Sequence, residues 1–203
     1  MAQDQKQSAI IEAAIKRFAH FGVSKTTMTE IATDLSLSKA SLYYYFPDKL
    51  SLYAAVFQTI TEAGAAEHEQ ELANEGNPFK AIAYFLERRT EFIIKYHNIL
   101  EYLRTFSPSN IPAELQPVFA QLKKRELQRL TSIIEKGVKA GLFRIKDSKK
   151  TAELFFDFLE GFRTSFLLNT PNFFPDKKQF QVILKKELEF AVIFFNGLTI
   201  EKE

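Results

Sequence analysis

The segment from Ser38 to Lys49 contains several side chains that could bind another molecule. It reads S-K-A-S-L-Y-Y-Y-F-P-D-K. A helix from about Lys39 to Phe46 would turn Leu42 and Phe46 inward, following the usual spacing of apolar residues in helices. Lysine, serine and tyrosine side chains then remain on the outward faces, where their ammonium and hydroxyl groups can form hydrogen bonds. Packing alone is a poor explanation for so short a helix with so many outward polar and aromatic groups.

The outward residue types fit the contacts that double-stranded DNA offers. Small side chains at Ala40 and Ser41 let the backbone approach base edges, where the Ser41 hydroxyl can hydrogen-bond. The hydroxyls of Tyr43 and Tyr44 and the ammonium of Lys49 can reach phosphates. Taken singly, each residue is more simply an ordinary surface residue, but the set in this order favours DNA binding. We predict DNA contacts from Thr27, Thr29, Lys39, Ala40, Ser41, Tyr43, Tyr44 and Lys49.

The residues before this helix predict a second helix and a tight turn. Thr27 is a suitable N-cap, and Glu30 three residues later completes a capping box, so a helix is predicted to begin at Met28. In the following break, Leu37 can fill the space between two helices while Ser38 caps the next one. Two helices joined in this way form a helix-turn-helix, whose second helix enters the major groove of DNA.

This stretch resembles the DNA-binding domain of the TetR family of bacterial transcriptional regulators. The residues that match the family pattern are Phe18, Gly22, Thr26, Thr27, Ile31, Ala32, Leu42, Tyr43, Phe46, Lys49 and Leu52. The agreement covers about the first quarter of the chain. Three positions depart from the pattern: Ser36 where glycine is usual in the turn, Ala40 where glycine or proline is frequent, and Leu50 where glutamate is common. Ser36 is expected to be strained if the turn requires a positive φ.

The resemblance implies an all-α protein with two domains. Residues 1–47 would form a three-helix DNA-binding domain with the helix-turn-helix, and residues 48–203 a larger helical ligand-binding and dimerisation domain. Such a protein is expected to be a cytoplasmic homodimer and, as a repressor, to release a pseudo-palindromic double-stranded operator when a small hydrophobic or amphipathic effector binds. The alternative, from a different class, is a helical interaction or carrier protein that keeps the fold without binding an operator.

Apolar periodicity predicts helices throughout the remaining chain. They cover residues 7–21, 48–73, 79–106 as two helices meeting near His97, 113–140, 148–168 and 176–197. The charged run at 123–129 is most simply a solvated helix face, with a DNA-touching patch as the lesser alternative. The last two helices are rich in phenylalanine, and the resemblance places the dimer interface on them. The interface residues we expect are Phe155, Phe166, Leu184, Leu188, Ala191, Phe194 and Phe195.

Aromatic residues in the same helices could line an effector pocket or fill the core. The candidate ligand-binding residues are Phe57, Phe85, Phe92, Tyr96, Phe119, Phe158 and Phe162. Taken singly, each is more simply a core residue. Few cations are available to receive a negatively charged ligand, the candidates being Arg88, Arg89, Arg104 and Arg163. A neutral or amphipathic hydrophobic effector is therefore favoured.

Composition excludes several other classes of protein. The chain has 203 residues, 46% of them hydrophobic, which is enough to form a core. It has no cysteine, so a disulfide framework or thiolate chemistry is impossible, and no apolar run approaches the roughly 18 residues that a membrane span requires. Catalytic, phosphate-loop and metal motifs are absent, and the H-E-Q-E at 68–71 is most simply a solvated helix surface. We expect no enzyme activity, no cofactor and no metal. A net charge of +2 means that DNA contacts must be local.

Overall fold

The computed structural model describes residues 2–67, 69–107, 110–168 and 177–199. Helices account for the regular structure in these ranges, which confirms the all-α fold class. They are α1 (Ala2–Phe21), α2 (Met28–Asp34), α3 (Lys39–Tyr45), α4 (Lys49–Glu67), α5 (Glu69–Asn74), α6 (Pro78–Lys95), α7 (His97–Leu100), a 3₁₀ helix (Glu101–Thr105), α8 (Gln116–Lys139), α9 (Ser148–Leu168) and α10 (Lys177–Asn196). In the same ranges, no helix is long and apolar enough to cross a membrane.

The helix expected over 48–73 is described as α4 and α5, which flank residue 68. Residue 68 lies outside the described ranges, as does Asp176, the predicted start of the last helix. The segment 79–106 divides near His97 as predicted, but its last part is the 3₁₀ helix.

The chain forms two compact units. The first contains Met1–Glu67 and Lys95–Leu122, and the second contains His68–Ile94 and Lys123–Glu203. The predicted boundary at 47/48 falls inside the first unit because α4 packs against α1. Each unit therefore combines segments that are distant in sequence.

The core of the first unit is centred on Tyr53 of α4. Its ring packs near Phe18 of α1, at 6.4 Å between centroids, and edge-on against Tyr102, at 4.8 Å. The Tyr53 hydroxyl donates a hydrogen bond of 3.0 Å to the carbonyl oxygen of Ile99. Burial raises the pKa of Tyr53, so the hydroxyl keeps its proton and remains a donor. α4 and α7 are thereby joined inside the core.

The core of the second unit is built from phenylalanine. Phe155 of α9 and Phe195 of α10 are both fully buried, with ring centroids 5.0 Å apart, and Phe143 packs 5.5 Å from Phe195. Gly137 of α8 lies against the Phe143 ring, and a Cβ atom there would approach the ring to 2.3 Å. The absence of a side chain at Gly137 is thus what allows Phe143 to pack on α8.

The structure corrects part of the predicted dimer interface. Phe155, Ala191 and Phe195 are buried within the protomer, so their side chains offer no surface to a partner. The apolar residues that α9 and α10 leave exposed are Leu154, Phe158, Val182, Val192 and Ile193. The prediction selected the wrong face of each helix at the three buried positions, because apolar residues lie on more than one face of both helices.

The charged run at 123–129 is also not simply a solvated face. Glu126 is buried, and its carboxylate lies 3.4 Å from Nε of Arg89 and 3.1 Å from Nη1 of Arg129. One member of the run therefore belongs to the interior of the second unit.

Candidate nucleic-acid interface

The start of α2 is fixed by the capping box that the sequence predicts. The Thr27 hydroxyl oxygen accepts a hydrogen bond of 3.3 Å from the Glu30 amide, and the Glu30 carboxylate accepts one of 2.7 Å from the Thr27 amide. The Thr27 hydroxyl also donates to Glu30, at 2.8 Å. Hydrogen bonds from the backbone and hydroxyl of Thr27 lower the pKa of Glu30. Because the Thr27 proton is used within α2, it is not available to a phosphate in this arrangement.

An ion pair between Arg17 and Asp34 joins α1 to α2. The Arg17 guanidinium donates two hydrogen bonds to the Asp34 carboxylate, one of them 2.8 Å from Nη2 to Oδ1. The hydrogen bond from Arg17 lowers the pKa of Asp34. Because the pKa values of Asp34 and Glu30 are lower in the folded state than in the unfolded state, their stabilisation is present at neutral pH and is lost as the pH falls through those lowered values. The contact joins residues 17 positions apart, and no local sequence pattern indicates it.

The turn after α2 holds Ser36 in the left-handed backbone region, which serine rarely adopts. Ser36 has a φ of +52°, so the turn does require the positive φ at which strain is expected for serine. The Leu37 amide donates to the Ala32 carbonyl at 2.9 Å, and the Ser36 amide donates to the Thr33 carbonyl at 3.0 Å. These two bonds define a Schellman motif, whose left-handed position is usually glycine. The path of the chain into α3 is set here.

α3 exposes four of its seven residues and buries one. Leu42 is its buried residue, and the next inward side chain, Phe46, follows the helix. Ser38 caps its first turn by accepting a hydrogen bond of 3.1 Å from the Ser41 amide. Tyr44 is 74% exposed. The helix therefore has little role in the core and presents a polar surface.

The predicted base-contacting residues lie together at the start of this surface. Lys39 and Ala40 are exposed, and Ser41 is half-buried. The Lys39 ammonium lies 5.7 Å from the ring centroid of Tyr43, which is 39% exposed. Thr29, on α2, is also exposed. The structure thus brings most of the predicted DNA-contacting side chains to exposed positions on two consecutive helices.

Lys49 has structural contacts that the sequence did not reveal. Its ammonium donates hydrogen bonds to the carbonyl oxygens of Val23, at 3.0 Å, and Thr26, at 3.1 Å. These contacts fix the first residue of α4 to the segment between α1 and α2. Of the three ammonium hydrogens, one remains for another acceptor such as a phosphate oxygen. Lys49 therefore has a structural role and one hydrogen left for a further acceptor.

A further contact connects α1 to a distant segment of the chain. The Asn98 side-chain amide donates a hydrogen bond of 2.7 Å to the Ala19 carbonyl near the end of α1. Since Ile99, the next residue, accepts from Tyr53 of α4, α7 is hydrogen-bonded to two of the helices around the helix-turn-helix. No local sequence signal indicates this arrangement.

The predicted ligand-binding residues are divided between the two units. Phe57, Tyr96 and Phe119 belong to the first, where the Phe57 and Phe119 rings lie 5.2 Å apart. Phe85, Phe92, Phe158 and Phe162 belong to the second. Phe158 is 57% exposed, so its assignment to a pocket lining is corrected to a surface position.

The capped helix pair, its tight turn and the exposed second helix define a helix-turn-helix DNA-binding protein. Residues 10–56 match the family described as bacterial regulatory proteins, tetR family. Residues 10–56 thus carry the DNA-binding domain of this family, and the proteins that the chain resembles are transcriptional regulators, a class of DNA-binding proteins that are not enzymes.

Relatives and solved structures agree with this family. The uncharacterized HTH-type transcriptional regulator YhgD of Bacillus subtilis is 28% identical over 156 residues, covering 75% of this chain and 78% of YhgD. The crystal structure of a transcriptional regulator from Cytophaga hutchinsonii is 28% identical, with a TM-score of 0.83, and the match covers 96% of this chain and 99% of that one. FadR of B. subtilis, solved in complex with stearoyl-CoA, has a TM-score of 0.67 at 18% identity, covering 91% of this chain and 97% of FadR, and so shares the fold.

The strained turn provides a direct test of how the helix-turn-helix is held. Replacing Ser36 with glycine should stabilise the protein by about 0.5–1 kcal/mol, because relief of the left-handed strain exceeds the entropy gained by the unfolded chain. Chemical denaturation of Ser36→Gly measures this difference. Ser36→Ala is the matched control, since it keeps the Cβ atom and should give no gain. A glycine variant less stable than the natural protein would contradict the assignment of strain to this position.

Proposed function

We propose that this regulator is a homodimeric repressor of the bacterial cytoplasm that binds a pseudo-palindromic operator and releases it when a small amphipathic effector binds. The observation that carries the DNA-binding part is the exposure of α3. A helix that buries only Leu42 and presents Lys39, Tyr43 and Tyr44 to solvent is suited to an external partner. The tight turn and capping bonds hold it in the geometry that major-groove binding requires.

The residues of this surface have different proposed roles. Lys39, Ala40 and Ser41 lie in the first turn of α3, the part of a recognition helix that reaches base edges. Tyr43, Tyr44 and Lys49 are assigned to phosphates, which position the protein and carry no sequence information directly. Thr29 lies on the neighbouring helix and is assigned to the DNA backbone. Thr27 is assigned mainly to capping, because its hydroxyl is already bonded to Glu30.

Operator binding separates the two roles experimentally. The preferred duplex should contain two half-sites about one helical turn, roughly 34 Å, or a multiple apart. Lys49→Ala should weaken binding to all sequences nearly uniformly and reduce the salt slope by about one unit, because one phosphate contact is lost. Ser41→Ala should instead change which bases are preferred. Selection of bound duplexes from a random pool, followed by titrations at several salt concentrations, measures both effects.

Two controls make the operator experiment decisive. Thermal unfolding of Lys49→Ala must be measured, because Lys49 also holds the carbonyls of Val23 and Thr26. Tyr44→Phe removes one exposed hydroxyl and leaves the ring in place, so it should weaken DNA binding without affecting unfolding. A Lys49 variant with altered base preference and an unchanged salt slope would refute the assigned roles.

The proposed dimer uses the exposed apolar surface of α9 and α10. Leu154 and Phe158 lie one turn apart on α9, and exposed Gly161 continues the same side of the helix. On α10, Val182 and Ile193 are separated by three turns and lie on one side. Surfaces of this kind on two antiparallel helices can pair with the same surfaces of a second copy about a two-fold axis. Phe166, Leu184, Leu188 and Phe194 are half-buried and would support this interface from behind.

Charging the centre of the proposed interface should dissociate the dimer. Ile193 is 73% exposed in the protomer, so Ile193→Asp should leave each protomer folded. In the dimer it would bury an unpaired carboxylate, at a cost of about 3–5 kcal/mol. Light scattering should then report a monomer. Leu142→Asp, which charges another exposed apolar residue of the same unit, is the matched control and should remain dimeric; a dimeric Ile193→Asp would place the interface elsewhere.

The effector part of the proposal rests on the apolar composition of the chain after residue 48 and on the ligand of a protein that shares the fold. FadR binds stearoyl-CoA, which combines a long apolar chain with a polar group. The hydrogen bonds from Asn98 to Ala19 and from Tyr53 to Ile99 offer a route by which movement of α7 would alter α1 and α4. A ligand that favours one position of α7 would thereby change the presentation of α3.

Coupling between effector and operator is reciprocal, which allows a strict test. A compound that weakens operator binding by a given factor must bind the operator complex more weakly by the same factor, typically about 5- to 150-fold. Asn98→Ala should reduce this factor, because it removes the hydrogen bond from α7 to α1. Calorimetric titration of a compound found by operator release, with and without DNA, provides both numbers. A compound that binds tightly and leaves operator affinity unchanged would contradict the switch mechanism.

A further inference from the structure

The second unit contains buried hydrogen-bond donors that the protein itself does not satisfy. Nη1 of Arg89, Nη1 of Arg163 and the hydroxyl oxygen of Thr90 are buried without a hydrogen-bond partner. Nε of Arg88 and Nε of Arg125 are also buried without a hydrogen-bond partner. Among the described residues of this unit, no side-chain carboxylate or amide oxygen is buried without one. An unsatisfied buried donor costs free energy, so such groups usually have a partner. The arginine nitrogens among these groups can only donate, so any partner for them must supply an acceptor.

Arg163 uses two of its three guanidinium nitrogens in an ion pair with Glu187 and leaves the third, Nη1, without a partner. Its Nε and Nη2 donate to Glu187 Oε1 at 3.1 Å and 2.9 Å, and Nη2 also donates to Oε2 at 2.8 Å. Glu187 is fully buried, and Arg163 is 7% exposed. One edge of the guanidinium is thus occupied by Glu187, while Nη1 at the other side remains available.

Arg89 has the same pattern of used and unused nitrogens. Its Nε lies 3.4 Å from the Glu126 carboxylate, and its Nη2 donates to Glu160. The guanidinium carbon lies 5.0 Å from the ring centroid of Phe156, an almost completely buried residue of α9. The guanidinium thus packs on an apolar ring while its Nη1 has no acceptor.

The two guanidinium groups lie in the same region of the second unit, because Glu160, which accepts from Arg89, precedes Arg163 by one turn of α9. Burial lowers the pKa of Arg163, and the positive charge of Arg89 lowers it further, against the opposing effects of Glu187 and Glu160. Glu126 is shared between Arg89 and Arg129, at 3.4 Å and 3.1 Å. The Glu160 side chain is 48% exposed, so solvent screens its charge. A negative group near both Nη1 atoms would therefore be attracted as well as hydrogen-bonded.

We propose that the effector carries a carboxylate or phosphate group that accepts hydrogen bonds from Nη1 of Arg89 and Nη1 of Arg163. The proposal rests on the ligand-responsive function argued above and narrows the chemical class of its effector. Of the neutral or amphipathic effectors favoured from sequence, it selects an amphipathic one with an anionic group, because the unmatched arginine nitrogens are donors. Phe156 provides an apolar contact for the remainder of the molecule.

The head group can be tested with probes that differ only there. Straight-chain carboxylates of six to sixteen carbons, the alcohols of the same lengths and the matching alkyl monophosphates would be titrated calorimetrically into the full-length protein. A carboxylate or a phosphate should bind at least about tenfold more tightly than its alcohol, the minimum expected for a charge-assisted hydrogen bond. Comparison of the two anionic series identifies which head group the site accepts.

Variants assign the preference to the two arginines. Arg89→Gln should reduce the preference for the anion over the alcohol at least about fivefold. Since Arg163→Met alone would leave the buried Glu187 unpaired, the double variant Arg163→Met, Glu187→Met removes both members of the pair and keeps their volume. It should have the same effect. Lys123→Gln is the matched control: its ammonium lies 5.8 Å from the same Phe156 ring but is exposed, and the variant should retain the preference.

The outcomes distinguish this proposal from the proposed function. Equal binding of anions and alcohols at all chain lengths, no binding by any of them, or an anion preference unchanged in both arginine variants would overturn the head-group assignment. Operator binding without added compound is measured separately, and its absence would overturn the regulatory function whatever the anion result. An anion that binds through both arginines yet leaves operator affinity unchanged would overturn its identification as the effector class.

Discussion

A seven-residue helix with one buried side chain cannot maintain its structure alone in water, because helix nucleation is costly and short helices gain few hydrogen bonds. α3 is such a helix. Its exposed side chains are available for DNA only because other segments supply the order that it lacks. These segments contribute the Ser38 cap, the Schellman turn at Ser36, and the packing of Leu42 and Phe46.

Polar contacts extend this support outward from α3. Arg17 joins α1 to the end of α2, and Lys49 joins the beginning of α4 to the segment before α2. Asn98 then joins α7 to α1. Each contact involves a charged or amide group bonded to a carboxylate or a backbone carbonyl, so it fixes direction as well as distance. The orientation of the recognition helix thus depends on residues that are remote from the proposed DNA surface.

Local features of the fold could be predicted from the sequence, whereas long-range contacts could not. The capping box at Thr27, the positive φ at Ser36 and the bounds of α9 follow from interactions within a few residues, and the structure reproduces them. The bonds of Arg17, Lys49 and Asn98 join residues 17, 26 and 79 positions apart, and no local pattern encodes them. These contacts exist only once the chain has folded.

The sequence also does not determine which faces of the phenylalanine-rich helices α9 and α10 are buried. In α9 and α10, apolar residues occupy both the inward and the outward sides, so periodicity does not say which side forms the core. The sequence predicts an interface role for Phe155 and Phe195, which are buried in the protomer, and a pocket role for Phe158, which is exposed. A run of charged residues does not show which of its members are buried either. Glu126 belongs to a run predicted to be solvated, but its carboxylate is buried. In both cases the tertiary neighbours decide burial.

The tyrosines of α3 also have an optical consequence. The chain contains no tryptophan and seven tyrosines, and three of the seven, Tyr43, Tyr44 and Tyr45, are consecutive in the recognition helix. Tyrosine is therefore the dominant intrinsic fluorophore, and a large share of it lies on the surface proposed to meet DNA. Stacking or hydrogen bonding of these rings would change their emission directly. The natural sequence thus carries its own spectroscopic reporter of operator engagement, without an attached dye or an introduced tryptophan.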